Sequence, residues 1–481
     1  MIFNKRQFQF TFGYNPIKMN GTMYKFTLNK TVTKKKKSIM EIARKTIDAL
    51  KEQYFSDNRP WVVTYSGGKD STTVLHLVIV MLQELHAEGK DTKHVYVVSS
   101  DTTVEMPIIE KYTKTRIQQI TDFANESDLK LSAHKLEPKL EESFWTLMLG
   151  KGYPAPTSSF RWCTERMKID PATEFLKTLV NKHQSILMLL GVRTDESIAR
   201  SNSIEGRVLN HRGLSVHDSI PNAYVLSPIK YWTNAEVWTY LSKNPFPWGS
   251  HEYMMSLYDK GSGEGDCNIA LNPESPSCGK TRFGCWVCTV VETDRSMEGM
   301  LRNGEEWMIP LWHYREKIYK YRNDTTKRDT RRRTGQVGAG PFLMPIRKEL
   351  LEDLLKTQEE VNKNYHEMKK GASDYNPDEH IELIKDDEIE LIQRNWNFDG
   401  DISNNAYRTA QKFNRLIDKT TTTELRVELE ELNEENFNID LFERIYELEA
   451  YRKNISNRYG ILNDIEKRVV DFYKGEYRET N

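Results

Sequence analysis

The sequence predicts an α/β fold, a parallel sheet with helices on both faces, followed by a cysteine-rich segment and a helical C-terminal third. Three observations predict it. Short β-rich apolar runs alternate with helix-length stretches, the pattern of strands joined by crossover helices. Three of those runs lead directly into polar loops, SGGKDS, SSDTTVE and GVRTDES, at the strand ends where ligands sit in such sheets. Beyond Pro345 the chain turns rich in Glu, Leu, Lys and Arg at helical spacing.

Taken in order, residues 1–59 read as an N-terminal arm and helix. The first part is polar and ends in the run Lys34 to Lys37, a solvated lead-in or an arm for acidic partners. From Ser38 to Tyr54 the spacing of Ile39, Ile42, Ile47 and Leu50 predicts an amphipathic helix, which Pro60 closes. Residues 60–260 form the sheet domain. Strands are expected at Trp61–Tyr65, His94–Ser99, Leu129–His134 and Ser185–Gly191, and a buried helix at Thr72–Glu88. Residues 261–340 hold the cysteine cluster and a basic linker. Between His313 and Arg333 nine Lys/Arg stand against three acids, with Tyr314, Tyr319 and Tyr321 interleaved. That segment is either a solvated linker or helix, or a track for a phosphate backbone, on which charge removal at Arg331, Arg332 and Arg333 would weaken binding. Residues 341–481 are expected to be a helical domain, carried by Pro345 to Lys370 and by Leu425, Leu429, Leu432, Leu441, Ile445 and Leu448.

Composition bounds the function classes. Of 481 residues 38% are apolar and 29% charged, which suits a folded, water-soluble protein. The longest apolar run, Val74 to Leu82, is interrupted by His76 and has about half the length a membrane-spanning helix needs. With no apolar leader before a cleavage site, the expected compartment is the cytoplasm, with no membrane partner. A net charge of -1 excludes a uniformly basic nucleic-acid coat. Of five cysteines, Cys267, Cys278, Cys285 and Cys288 crowd into 22 residues, which reads as a metal or cluster site before it reads as disulfides.

The sharpest motif is Ser66-Gly67-Gly68-Lys69-Asp70-Ser71, between a strand and a helix. Two glycines let backbone amides turn inward, Ser66 and Ser71 add hydroxyl donors, Lys69 adds a point charge, and the helix adds its positive end. This is an anion cradle. The spacing of a Walker A loop is absent, so γ-phosphate transfer is not expected. The cradle suits a departing pyrophosphate, with Asp70 orienting the loop or helping to hold Mg²⁺. Asp101, at the second strand end, suits the ribose or adenine edge of ATP, an Mg²⁺, or a helix cap. Arg161, Arg166 and Lys168 suit a substrate phosphate or surface salt bridges. Arg193 and Arg200 flank Asp195 and Glu196, where an arginine suits either charge growing on an α-phosphate, with Arg193 the catalytic candidate and Arg200 a substrate-phosphate one, or a structural ion-pair network. Cys163 stands among Arg161, Arg166 and Lys168, whose field is expected to lower its pKa. It is a candidate nucleophile or persulfide carrier, or else a buried thiol. Four thiolates from the cysteine cluster can bind zinc or a cubane iron–sulfur cluster.

SGGKDS after a strand resembles the signature of the PP-loop ATP pyrophosphatases. SSDTTVEMP at 99–107, RWCTERMK at 161–168, GVRTDESIAR at 191–200 and PIKYWTNAEVW at 228–238 resemble the PAPS-reductase-like branch of that superfamily. With SCGKTRFGCWVC at 277–288 and the helical tail, the chain resembles the DndC-type sulfurtransferases of bacterial DNA phosphorothioate modification. The resemblance implies a PP-loop (adenine nucleotide alpha hydrolase-like) fold and adenylation by ATP with release of pyrophosphate. It also implies a [4Fe–4S] cluster on Cys267, Cys278, Cys285 and Cys288. Its implied partners are DNA, a cysteine desulfurase as sulfur donor, and other phosphorothioation proteins. Three rivals stand beside it: a PAPS reductase, many of which carry a reactive cysteine near the C-terminus where here none follows Cys288, a tRNA thiolation enzyme, and a non-catalytic nucleotide-sensing scaffold.

Overall fold

The protein is described from a computed structural model. It describes residues 38–90, 92–196, 210, 212–261, 284–334, 336–372, 375–415, 429, 438–453 and 460–479, together with the antiparallel pair Lys18–Met19 and Thr22–Met23. The expected basic arm at Lys34 to Lys37, Arg200, Cys267, Cys278, Leu425 and Leu432 lie outside the described residues, as does the side chain of Glu196.

The sheet has six strands: β1 (Trp61–Thr64), β2 (Val95–Ser100), β3 (Leu131–Leu136), β4 (Ile186–Leu189), β5 (Ser215–Val216) and β6 (Ala223–Leu226). Their order is β3-β2-β1-β4-β6-β5, with every pair parallel except β5 against β6. β1 sits centrally, in register Val63 to Val97 on one side and Val63 to Leu189 on the other. Residues alternate strictly between two buried faces. Trp61, Val63, Val95, Val97, Leu187 and Leu189 join one cluster, while Val62, Tyr96, Val98, Ile186, Met188 and Val225 join Leu176 and Leu179 in the other. A strand buried on both sides must be apolar throughout, which is why β1 and β4 read as unbroken runs. The short pair β5 and β6 was not expected from sequence, because neither run is long enough to show a period.

Helix α1 (Ile39–Phe55) starts at a capping box in which Ser38 and Glu41 satisfy each other's backbone amides. It packs with α2 (Lys69–Ala87) and α5 (Asn234–Lys243). Helix α3 (Pro107–Glu126) follows β2, and α4 (Asp170–His183) covers the second face. Helix α2 begins at Lys69, three residues before its expected start, because Gly68 already serves as its N-cap. The cradle's lysine therefore belongs to the first helical turn.

The principal core does not stop at residue 260 or 340. One cluster runs from Ile39 to Ala410 and takes in α6 (Glu252–Gly261), α7 (Arg295–Arg302), α8 (Ile309–Tyr321), α9 (Met344–Lys369), α10 (Asp386–Phe398) and α11 (Asn405–Lys412). Trp145 Nε1 donates to Leu383 O at 2.6 Å and Trp396 Nε1 to Leu149 O at 2.8 Å, tying the two ends together. Helices α12 (Ile439–Lys453) and α13 (Ile461–Glu479) complete the helical C-terminal region, and Leu441, Ile445 and Leu448 lie on α12 as their spacing predicts.

Of the alternatives for residues 313–333, the structure forms a helix over the first part. Most of the first half is the helix α8, with Tyr314 buried and donating to Leu350 O at 3.1 Å. Arg315, Arg322, Arg328 and Arg333 all donate to backbone carbonyls, and Arg333 also meets Asp399 at 3.2 Å. Those four cations are held by the fold, while Arg332 is exposed. Among the described residues no helix is long and apolar enough to cross a membrane.

Candidate active site

The cradle forms where β1 ends. Gly67 takes φ +70°, the left-handed region that glycine enters without strain, and a Cβ there would meet the Tyr112 ring at 3.0 Å. Gly68 caps α2 without a side chain, leaving the first amides of the helix directed at the loop. Ser71 Oγ lies 3.1 Å from Ser66 Oγ, accepts from Ser66 N at 3.2 Å and donates to Gly68 O at 3.0 Å, closing the turn on itself.

Lys69 is buried, with Nζ 3.2 Å from Asp70. Asp70 also accepts from Arg193 Nε at 2.7 Å. Arg193 is 2% exposed and donates further to Asp195, Trp232 O and Asn234. Of the two readings of Arg193, the ion-pair network is the one the fold forms: it fastens the loop after β4 to the cradle. The segment 228–238 completes that brace, since Thr194 N donates to Lys230 O and Asn234 N to Asp195. Gly191 lets the two loops close up, because a Cβ there would stand 2.7 Å from Ser71 N and 2.8 Å from the Asp70 carbonyl carbon. With both cations on it, Asp70 is a poor fit for Mg²⁺ in this arrangement.

The loop after β2 lies beside the cradle, since Tyr65 N donates to Val98 O at 2.8 Å. Asp101 is buried and meets Lys135 Nζ at 2.6 Å, and it accepts from Thr103 N at 2.7 Å. Thr103 sits at φ +62°, where a β-branched residue is strained, a feature that concentrates at functional sites. Burial alone would raise Asp101, but hydrogen bonds from Glu105 and Lys135 outweigh it and hold the carboxyl low. Glu105 takes the opposite course: burial and then the Asp101 charge push it up to about 7. The pair behaves as one acid and one carboxylate.

The cysteine turn is stitched to this same loop. Glu105 and Cys285 form an antiparallel bridge, Trp286 N donates to Val104 O at 3.0 Å, and Thr102 Oγ1 lies 3.2 Å from Cys285 Sγ. Cys288 N donates to Cys285 O at 3.0 Å, so one tight turn carries both thiols. Burial, then Glu105, pushes the Cys285 thiol up to about 12. Among the described residues no three metal-binding side chains converge. Two thiols on one tight turn suit a shared metal or cluster, and the other two cysteines of the expected set, Cys267 and Cys278, lie outside the described residues.

The basic group does not act as one. Lys168 faces Cys285, Glu105, Cys163 and Cys288, which outweigh its loss of water and raise it. Arg166 instead turns to Glu142 at 3.4 Å and Asp170 at 3.8 Å, and Arg161 is exposed. The expectation that this group lowers Cys163 is corrected: burial dominates and raises its thiol. The π-helical turn Glu165–Ile169, which carries Arg166 and Lys168 just after Cys163, is a local irregularity of the kind found at functional sites.

Sequence reasoning missed Tyr258 and Tyr112. Tyr258 on α6 accepts from Lys69 N at 3.3 Å while Lys69 Nζ lies 5.4 Å from its ring, and Tyr112 donates to Gly67 O at 3.3 Å. A tyrosine on a distant helix leaves no local signal; Glu105, by contrast, stood within a motif already singled out.

Residues 60–291 match the family described as the phosphoadenosine phosphosulfate reductase domain. Two uncharacterised proteins of Methanocaldococcus jannaschii are 26% identical over 277 residues and 27% identical over 247, covering 57% and 50% of this chain. The matches span 46% and 50% of those relatives, about half their length. Among solved structures, the phosphoadenylyl-sulfate reductase of Candida auris is 17% identical with a TM-score of 0.29, over 45% of this chain and 90% of its own. The U34-tRNA thiolase of Methanococcus maripaludis, with its [4Fe–4S] cluster, is 14% identical with a TM-score of 0.27, over 59% and 78%. Candida glabrata FMN adenylyltransferase is 16% identical with a TM-score of 0.29, over 49% and 65%.

Proposed function

We propose that this protein is an ATP-dependent sulfurtransferase of DNA phosphorothioate modification. A nonbridging oxygen of a DNA backbone phosphate attacks the α-phosphorus of ATP, and pyrophosphate leaves. The outer sulfur of a persulfide, drawn from a cysteine desulfurase, then attacks the DNA phosphorus and displaces AMP, and a thiol reductant cleaves the S–S bond, becoming a disulfide and leaving the sulfur in place of the oxygen. The observation that carries this reading is the seam between the loop 99–107 and the Cys285–Cys288 turn, which gives an anion cradle and a thiol-bearing segment one shared wall.

The chain's own share is orientation and charge. The bare N-terminus of α2 and Lys69 hold the departing pyrophosphate, while Arg193 and Asp70 keep the loop in shape. Asp101, Thr103 and Lys135 shape the wall against which the nucleoside rests. A bound iron–sulfur cluster would supply electron storage or a sulfide-binding iron beside that wall.

The test is product analysis after incubating anaerobically purified protein with Mg²⁺-ATP, DNA and a sulfur donor, with tRNA in a parallel arm and Lys69→Ala as control. AMP and pyrophosphate together with sulfur in DNA, all lost in the variant, are the expected result. Sulfur entering tRNA alone, or no cleavage of ATP in either arm, would overturn the reading.

A further inference from the structure

Between α8 and α9 the chain doubles back, residues 328–334 running against 336–342. Arg328 bridges Phe342 and Arg331 bridges Val337, and backbone bonds run from Asp329 N to Pro341 O at 2.9 Å, Gly340 N to Asp329 O at 2.8 Å and Arg332 N to Gln336 O at 2.9 Å. The two arms form a thin ribbon, since a Cβ on Gly340 would stand 2.8 Å from the Arg331 carbonyl carbon. Its base is tied down: Phe342 N donates to Gly152 O at 2.7 Å, and Arg333 donates to Lys151 O and Asp399. The loop held there runs on to exposed Phe160 and Arg161, just before Cys163. Arg328 spends its donors on carbonyls, Gly340 O at 2.7 Å and Ala339 O at 3.0 Å among them, and carbonyl dipoles orient a cation without neutralising it. Burial and then the nearby Arg332 charge lower Arg328, so two guanidinium charges stand together on the ribbon. Arg332, Thr334 and Gln336 are exposed, and Val337, at 80%, is the most exposed large apolar side chain among the described residues.

We propose that this ribbon is the DNA-docking element of the protein and lies in the major groove of duplex DNA, with Arg332 against phosphate and Gln336 and Val337 toward the base edges. The inference rests on the DNA reading above and adds to it the surface that holds the duplex. Shape selects the groove: a major groove about 12 Å wide admits a two-stranded ribbon, whereas a minor groove about 6 Å wide does not. The deep, narrow major groove of A-form RNA excludes it as well. Charge selects the polymer, because each phosphate neutralised by arginine releases a condensed counterion. Within the groove the Gln336 amide matches the paired donor and acceptor of adenine, and the Val337 methyls match the thymine methyl. The base of the ribbon, fixed on the loop that leads to Arg161 and Cys163, ties the docked duplex to the proposed site.

The experiment uses the full chain as wild type, Arg332→Ala, Val337→Asp and Lys363→Ala, the last a charge control on α9 whose side chain is 71% exposed. Fluorescence anisotropy of a labelled DNA duplex, with tRNA in a parallel arm, is followed from about 50 to about 200 mM salt. Arg332→Ala should weaken duplex binding about fivefold or more and flatten the slope of log affinity against log salt by about one. Val337→Asp should weaken it about tenfold or more, because it sets a carboxylate among the phosphates. Lys363→Ala should change it less than about twofold, and ATP binding by calorimetry should match wild type in all three. Duplex binding by the wild type that both ribbon variants retain overturns the proposal and leaves the DNA reading standing. An equal loss in Lys363→Ala overturns it too, since bulk charge then accounts for the effect. Losses on tRNA but not on the duplex overturn it in favour of RNA. A wild type that binds no duplex overturns the DNA reading itself, an outcome visible before any variant is compared.

Discussion

Replacing Gly191 by alanine adds one methyl group at the closest approach between the β4 loop and the cradle. The new Cβ would stand 2.7 Å from Ser71 N and 2.8 Å from Ser71 Cα and the Asp70 carbonyl carbon. Those atoms are backbone in the first turn of α2, so no rotamer change relieves the overlap. Ordinary contact requires the loops to part by about 0.7–1 Å. Overpacking of this kind costs about 1–3 kcal/mol. Such a displacement also misplaces Asp70 and Ser71 against bound phosphate, and a shift of about 1 Å at a reacting centre can cost about a hundredfold in rate. Urea unfolding should therefore report lower stability, and pyrophosphate release should fall by about one to two orders of magnitude. Gly284→Ala is the matched control for stability, since a Cβ there meets nothing within 4 Å. A Gly191→Ala protein with wild-type unfolding midpoint and wild-type pyrophosphate release would refute the claim that this contact shapes the cradle.

Three further outcomes are expected. Arg193→Met leaves Asp70 with one buried cation and should destabilise the protein by about 3–5 kcal/mol, measured by denaturant titration; a loss under 1 kcal/mol would show the brace to be dispensable. Tyr258→Phe removes the acceptor of the Lys69 amide and should weaken ATP binding about threefold to tenfold by calorimetry with little loss of stability, whereas unchanged affinity would remove Tyr258 from the site. His76 lies within α2 with Nδ1 2.7 Å from Tyr240 Oη, and burial lowers it to about 4 from 6.5. Its folded pKa lies below the unfolded one, so the neutral ring's contribution is present above pH 6.5 and is lost as pH falls from 6.5 through 4. That loss amounts to about 3 kcal/mol, and a His76→Phe variant whose stability falls as steeply over this window would count against it.

The sequence by itself determined the β1–cradle–α2 unit, because strand, glycine turn and helix are contiguous and each obeys a local rule of period or backbone freedom. It likewise determined the strand ends that meet at the site, since apolar runs buried on two faces leave an unmistakable trace. Only the tertiary structure decided what those loops touch. Arg193 could meet phosphate or carboxylate, and it is the depth of the loop against Asp70 that chose the carboxylate. The charge around Cys163 promised a low pKa, but burial, which sequence spacing does not report, reversed the sign. The basic stretch after residue 313 could be a linker, a helix or a phosphate track, and only packing shows that Arg315 and Arg322 turn inward onto the carbonyls at and following Cys288. A side chain's charge is written in the chain; the dielectric around it and the partner opposite it exist only once distant segments have packed.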